Sequence, residues 1–165
     1  MNKYYKSKFL CNSLIFCSAS IATFSITPFS FFFLIFVLGF GIYLITLRSS
    51  LKQTFIAGWF LGFGWFAFGL YWIGSAFMVA DTYHKVLMPL AVVILPSVLA
   101  VFWGIACVFA KLLTKKNQSS LFLIIVFLTL FEYLRAKLFT GFPWLMPSII
   151  LLSLIHIWRC RRVVL

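Results

Sequence analysis

Acidic side chains are almost missing from this chain of 165 residues: Asp81 and Glu132 are the only two. Charge of either sign is scarce, with Asp, Glu, Lys and Arg together making up 10%. Soluble domains carry about a quarter charged residues, so this chain cannot cover a water-facing surface. What fills the sequence instead is apolar: 64% hydrophobic residues, 22 Phe among them, and a mean hydropathy of +1.13. A bilayer accepts such a surface because lipid tails face apolar side chains directly. The expected fold class is therefore all-α, a polytopic transmembrane helical bundle of five to six spans.

The sequence also lacks metal and redox chemistry. Cys11, Cys17, Cys107 and Cys160 show no C-x-x-C or zinc spacing, and His84 and His156 stand far apart. The first three cysteines lie in apolar runs, where a thiol behaves as a small hydrophobe. Bulky Leu10 before Cys11 argues against lipid attachment there. Cys160 sits between Arg159 and Arg161, but no base accompanies it, so it is not read as a nucleophile. Asp81 and His84 read as a solvated loop pair rather than a dyad. No catalytic residue, no metal site and no cofactor is expected.

The formal charge of +12 comes from 14 basic residues. In a soluble protein that excess would point to nucleic acid. Here the bases flank apolar runs, where they meet anionic lipid heads and fix orientation, so no nucleic-acid partner is expected. Apolar segments run over Phe9–Ile26, Phe29–Leu47, Thr54–Ala80 and Val86–Ala110, and a fifth begins near Leu121. Between them lie the turn Thr27-Pro28-Phe29 and the polar loops 48–53, 81–85 and 111–120. Serines and threonines dilute the first segment, and Ser18-Ala19-Ser20 behind a basic tail also fits a signal cleavage site. A second span follows at once, which favours a retained helix. If the spans alternate, Lys3, Lys6, Lys8, Arg48, Lys52, Lys111, Lys115 and Lys116 share one side, which makes the N-terminus cytoplasmic.

Two segments stand out. On the third, Gly58, Gly62 and Gly69 fall on one helical stripe, which lets a neighbouring helix approach closely or leaves a groove for an acyl chain. On the fifth, Glu132 follows Leu121 by about eleven residues, or ~17 Å of helix, which places an acid inside the membrane. Such a group normally has a partner or a task. Arg135, three residues on, can pair with it, either as a structural clamp or to hold a lipid head group. Lys137 is expected to snorkel to the interface, and Gly141 and Pro143 to end the helix before an anchoring Trp144. Glu132, Arg135 and Trp144 are the candidate lipid- or substrate-binding residues.

Glu132-Tyr133-Leu134-Arg135 with Leu138-Phe139-Thr140-Gly141-Phe142-Pro143-Trp144 resembles a signature of the apolipoprotein N-acyltransferases. Gly62-Phe63-Gly64 with Gly69-Leu70-Tyr71-Trp72-Ile73 is similar to that family's glycine–aromatic third helix, and Thr27-Pro28-Phe29 resembles its Ser-Pro-Phe turn. The matches come in order and cover about residues 10 to 144. The resemblance implies a bacterial inner-membrane enzyme that moves an acyl chain from a phospholipid to the N-terminal diacylglyceryl-cysteine of a lipoprotein. It further implies a thioester on a cysteine of a periplasmic nitrilase-like domain, with a Glu base and a supporting Lys. Phospholipid and diacylglyceryl-lipoprotein would be the partners, and the protein a monomer.

This chain departs from the pattern in having no such domain. Residues 1–147 read as the family's N-terminal transmembrane domain. Residues 148–165, with the run Leu152 to Arg162 resembling translated adapter sequence, read as a non-native tail. The chain is thus expected to be an inactive fragment without the catalytic Cys, Glu and Lys. The alternatives are a small polytopic transporter, which would need polar residues along a midplane path, and a structural membrane subunit.

Overall fold

The computed structural model describes residues 2–26, 31–74, 82–114, 120–139, 145 and 147. Among the described residues five long helices run in order: α1 (Asn2–Ala22), α2 (Ile35–Thr46), α3 (Leu51–Gly69), α4 (Thr82–Leu113) and α5 (Ser120–Leu138). Single 3-10 turns, Thr23–Ser25 and Phe32–Leu34, sit between α1 and α2. Among the described residues there is no strand. The all-helical class is as the composition predicts.

The helices form a ring. α3 packs against both α1 and α4, α4 carries α5, and α1 carries α2, while α2 and α5 touch only sparsely where the ring closes. Leu61, Trp65 and Phe66 of α3 form the core with Leu99, Trp103 and Ala106 of α4 and Ile15 and Ala19 of α1. The outside is apolar too: Phe9, Phe33, Phe36, Phe122 and Leu138 are all largely exposed. A water-facing monomer rarely carries apolar surface on this scale, whereas lipid suits it. Among the described residues two stretches, Lys8–Ser25 and Met88–Leu113, are long and apolar enough to cross a membrane, and Phe32–Thr46 is a shorter apolar helix.

Local chemistry explains the elements. The hydroxyls that dilute α1 turn back onto its own backbone: Ser18 donates to the Ile15 carbonyl at 2.7 Å and Ser20 to that of Phe16 at 2.9 Å. Thr23 and Ser25 do the same, at 2.6 Å each, onto Ser20 and Ala22. These four hydroxyls are thereby satisfied within an apolar setting. The glycines set helix approach. A Cβ on Gly58 would lie 2.8 Å from the Cys107 sulfur and 3.0 Å from the Trp103 carbonyl oxygen, and one on Gly62 would lie 3.0 Å from the Ala100 Cα. Two members of the predicted stripe therefore face α4, where the residue numbers run antiparallel. Gly69 instead faces Leu145, and Gly64, which the stripe omitted, receives α1.

Several boundaries differ from expectation. The third segment was expected to run unbroken from Thr54 to Ala80, but α3 stops at Gly69 and the chain turns, with Ile73 N–H bonded to Leu70 O at 3.0 Å and Gly74 N–H to Tyr71 O at 3.1 Å. Helix α3 itself is about 28 Å long, near the thickness of a hydrocarbon core, and beyond the turn Ile73 and Gly74 are again helical. The predicted loop 48–53 shrinks because Ser50 caps α3, its hydroxyl accepting from Gln53 N–H at 3.3 Å. Loss of that cap in Ser50→Ala should cost about 1 kcal/mol, readable as a lower unfolding midpoint in detergent. The predicted loop 81–85 is helical from Thr82 onward, and α4 continues through Pro89 and Pro96 to Leu113. The helix α1 begins at Asn2, inside the basic tail. Thr27-Pro28-Phe29, the basic residues Lys115 and Lys116, and 148–165 lie outside the described residues.

Candidate functional site

Helix α5 places Glu132 and Arg135 one turn apart, and both are buried, Arg135 completely. The guanidinium Nη2 donates to Glu132 Oε2 at 2.6 Å, so the predicted pair forms. Sequence reasoning missed its third member. Trp103 of α4 donates its indole Nε1–H to Glu132 Oε1 at 2.5 Å. The arginine also rests on α3, its guanidinium carbon 4.9 Å above the Phe66 ring. Trp103 in turn stacks near Trp65 at 6.2 Å and meets Phe66 edge-on at 5.5 Å. One ion pair thus joins three helices, and each charge has a desolvated partner.

Above this cluster the chain returns. Leu145 adopts a left-handed backbone with φ of 50°, a conformation that costs a leucine about 1–2 kcal/mol. It is held there from two sides. Trp65 Nε1 donates to the Leu145 carbonyl at 2.8 Å, and the leucine side chain lies against Gly69, where any Cβ would collide with it. Nothing in the spacing of Trp65 and Leu145 signals this contact, because the residues are 80 apart in the chain.

A cavity of about 310 Å³ opens along the sparse seam between α2 and α5. Leu38 and Ile42 of α2 form one wall, and Ile125, Leu128 and Thr129 of α5 the other. Trp103, Glu132, Tyr133 and Pro147 complete the lining. The walls are overwhelmingly apolar and the cavity is partly open to the outside. The carboxylate in its wall is that of Glu132, already held by Trp103 and Arg135. Lys137, the predicted snorkelling residue, is exposed, with its ammonium 5.7 Å from the Tyr133 ring beside the cavity. Such a space suits an aliphatic chain with a polar group near the carboxylate end.

Cys107 is buried against Gly58, and no group of three or more His, Cys, Asp or Glu that could hold a metal occurs among the described residues. Trp144, the third predicted site residue, lies outside the described residues, as do Cys160 and His156. Arg135 belongs to the site through Glu132 rather than by lining the cavity.

Residues 18–159 match the family described as the apolipoprotein N-acyltransferase N-terminal domain. The apolipoprotein N-acyltransferase of Allorhizobium ampelinum is 42% identical over 95 residues, covering 58% of this chain and 18% of the relative. That of Rhodopseudomonas palustris is 44% identical over 98 residues, covering 59% of this chain and 18% of the relative. The Rhizobium etli protein is 33% identical over 117 residues, covering 67% of this chain and 22% of the relative. The chain therefore spans about a fifth of the length of the curated relatives it matches. No solved structure matches it. With the family's domain matched over most of its length, this chain belongs to the apolipoprotein N-acyltransferases through their N-terminal domain.

Proposed function

We propose that this chain is the lipid-holding membrane part of an apolipoprotein N-acyltransferase. The enzyme moves an acyl chain from a phospholipid to the α-amino group of a lipoprotein's diacylglyceryl-cysteine. The observation that carries this reading is the apolar cavity in the α2/α5 seam, with Glu132 of the Glu-Tyr-Leu-Arg motif in its wall. One acyl chain of a lipid substrate lies between Leu38, Ile42 and Leu128, and its polar end meets Glu132, Tyr133 and the neighbouring Lys137. Lipids reach the seam sideways, because α2 and α5 close the ring only loosely.

The chemistry itself belongs to other residues. A thioester route needs an activated cysteine, whereas Cys11, Cys17 and Cys107 are free thiols within helices α1 and α4. The chain sits in the bacterial inner membrane with its N-terminus cytoplasmic and five crossings. Leu138 and the residues after it then face outward. Trp144 anchors this outward end as an interfacial aromatic.

Two measurements test the reading. In cells depleted of their own enzyme, this chain alone should fail to restore N-acylated lipoproteins, while a full-length relative such as that of Rhodopseudomonas palustris should succeed. Rescue by this chain alone would refute the division of labour. Filling the cavity with Leu38→Trp in this chain should lower retention of a spin-labelled phospholipid by about tenfold, the loss of ~1.4 kcal/mol of apolar contact. Unchanged retention would remove the cavity from the mechanism. Reporter fusions after Thr46 and Leu138 check the orientation.

A further inference from the structure

A second polar feature lies at the opposite end of α3 from Leu145. Arg48 follows α2 and precedes the first turn of α3, and it is 9% exposed. Its Nη2 donates to the side-chain oxygen of Asn12 on α1 at 2.6 Å, a neutral partner. Its Nε–H is buried without any acceptor. Glu132 is committed to Arg135 and Trp103, more than three helical turns of α3 away. Helix α4 begins at Thr82, at the far end, because α3 and α4 run antiparallel. Among the described residues, then, Arg48 is a buried cation with no counter-ion.

Burying a charge with no opposite charge nearby costs several kcal/mol. A fold keeps such a group when an anion from outside completes it. The surroundings fit an anion. Lys52 stands on the first turn of α3, and Lys8 is one turn before Asn12 on α1. The opening amides of α3, at Leu51 and Lys52, have no acceptor within the helix, and its dipole favours negative charge at that end. Ser49 and Ser50 are exposed beside them. Arg48, which precedes α3, is tied to Asn12 of α1, and Lys52 stands exposed on the first turn of α3.

We infer that Arg48, Asn12, Lys52 and the first turn of α3 form a seat for a phosphate group, supplied by the head of a membrane phospholipid. Arg48 gives the charge, and Asn12 fixes the guanidinium. Lys52 and the helix amides complete the ring of donors. The seat is separate from the α2/α5 cavity. It requires embedding in a bilayer but not acyl transfer, so it stands or falls apart from the proposed function.

The experiment is native mass spectrometry of the intact chain in detergent, with phosphatidylglycerol, diacylglycerol or inorganic phosphate added. The wild type should retain phosphatidylglycerol about tenfold more than diacylglycerol, the worth of one to two charge-assisted hydrogen bonds. Arg48→Gln should abolish that preference, and Arg48→Lys, which keeps the charge but not the planar fork, should restore part of it. Lys52→Gln, at an exposed position that leaves the fold intact, should weaken retention by a smaller factor. Displacement of the lipid by millimolar inorganic phosphate would keep the seat and assign it to free phosphate. Equal retention of phosphatidylglycerol and diacylglycerol by the wild type, or an undiminished preference in Arg48→Gln and Lys52→Gln, would overturn the proposal.

Discussion

Replacing Glu132 with alanine should destabilise this protein by about 3–5 kcal/mol, the usual result of stripping one partner from a buried ion pair. The size follows from what is left behind. Arg135 is fully buried, and its Nη2 would lose the carboxylate at 2.6 Å. The indole N–H of Trp103 would lose its acceptor as well. The Phe66 face offers the guanidinium only a fraction of that attraction. Thermal unfolding in detergent, with the apparent midpoint as readout, measures the effect. Removing both charges together, as Glu132→Leu with Arg135→Met, should cost much less than Glu132→Ala alone, because neither member of the pair is left behind as a buried charge. If the double variant is as unstable as the single one, the pair acts through packing and the electrostatic account fails.

Widening Gly64 should be the other severe change. A Cβ there would lie 2.6 Å from the Phe16 carbonyl oxygen and 3.2 Å from the Ala19 Cβ. The Phe16 contact is backbone and cannot rotate away, so α1 must move off α3. Gly64→Val should cost about 1–3 kcal/mol or more through such overpacking, and Gly58→Val should do the same to the α3–α4 contact. Gly39, whose added Cβ would meet nothing within 4 Å, supplies the control. Gly39→Ala should be neutral or mildly stabilising, since alanine is the better helix former. An equal loss in Gly39→Ala and Gly64→Val would mean that close helix approach does not matter.

Much of the molecule was legible because the information is local. Scarce charge and long apolar runs dictated helices, and the Glu132–Arg135 pair followed from three-residue spacing within one helix. The glycines were readable as approach points, yet their partners were not. Gly58 and Gly62 meet α4 and Gly69 meets Leu145, so one apparent stripe serves two neighbours, while Gly64 outside it meets α1. Helix ends were misplaced where capping outweighed hydropathy. Ser50 starts α3 inside a stretch read as loop, and the turn at Leu70 ends it inside a stretch read as span.

The sequence by itself determined that this chain is helical, that its surface suits lipid, and that an acid and an arginine one turn apart pair within it. Only the tertiary structure decided which residues surround that pair. Trp103 reaches Glu132 across 29 residues, Trp65 reaches Leu145 across 80, and Leu38 faces Leu128 across an open seam. The physical reason is range. Helical periodicity fixes neighbours three and four residues apart, while contacts between helices depend on rotation and register, which are set by how closely small residues let backbones approach.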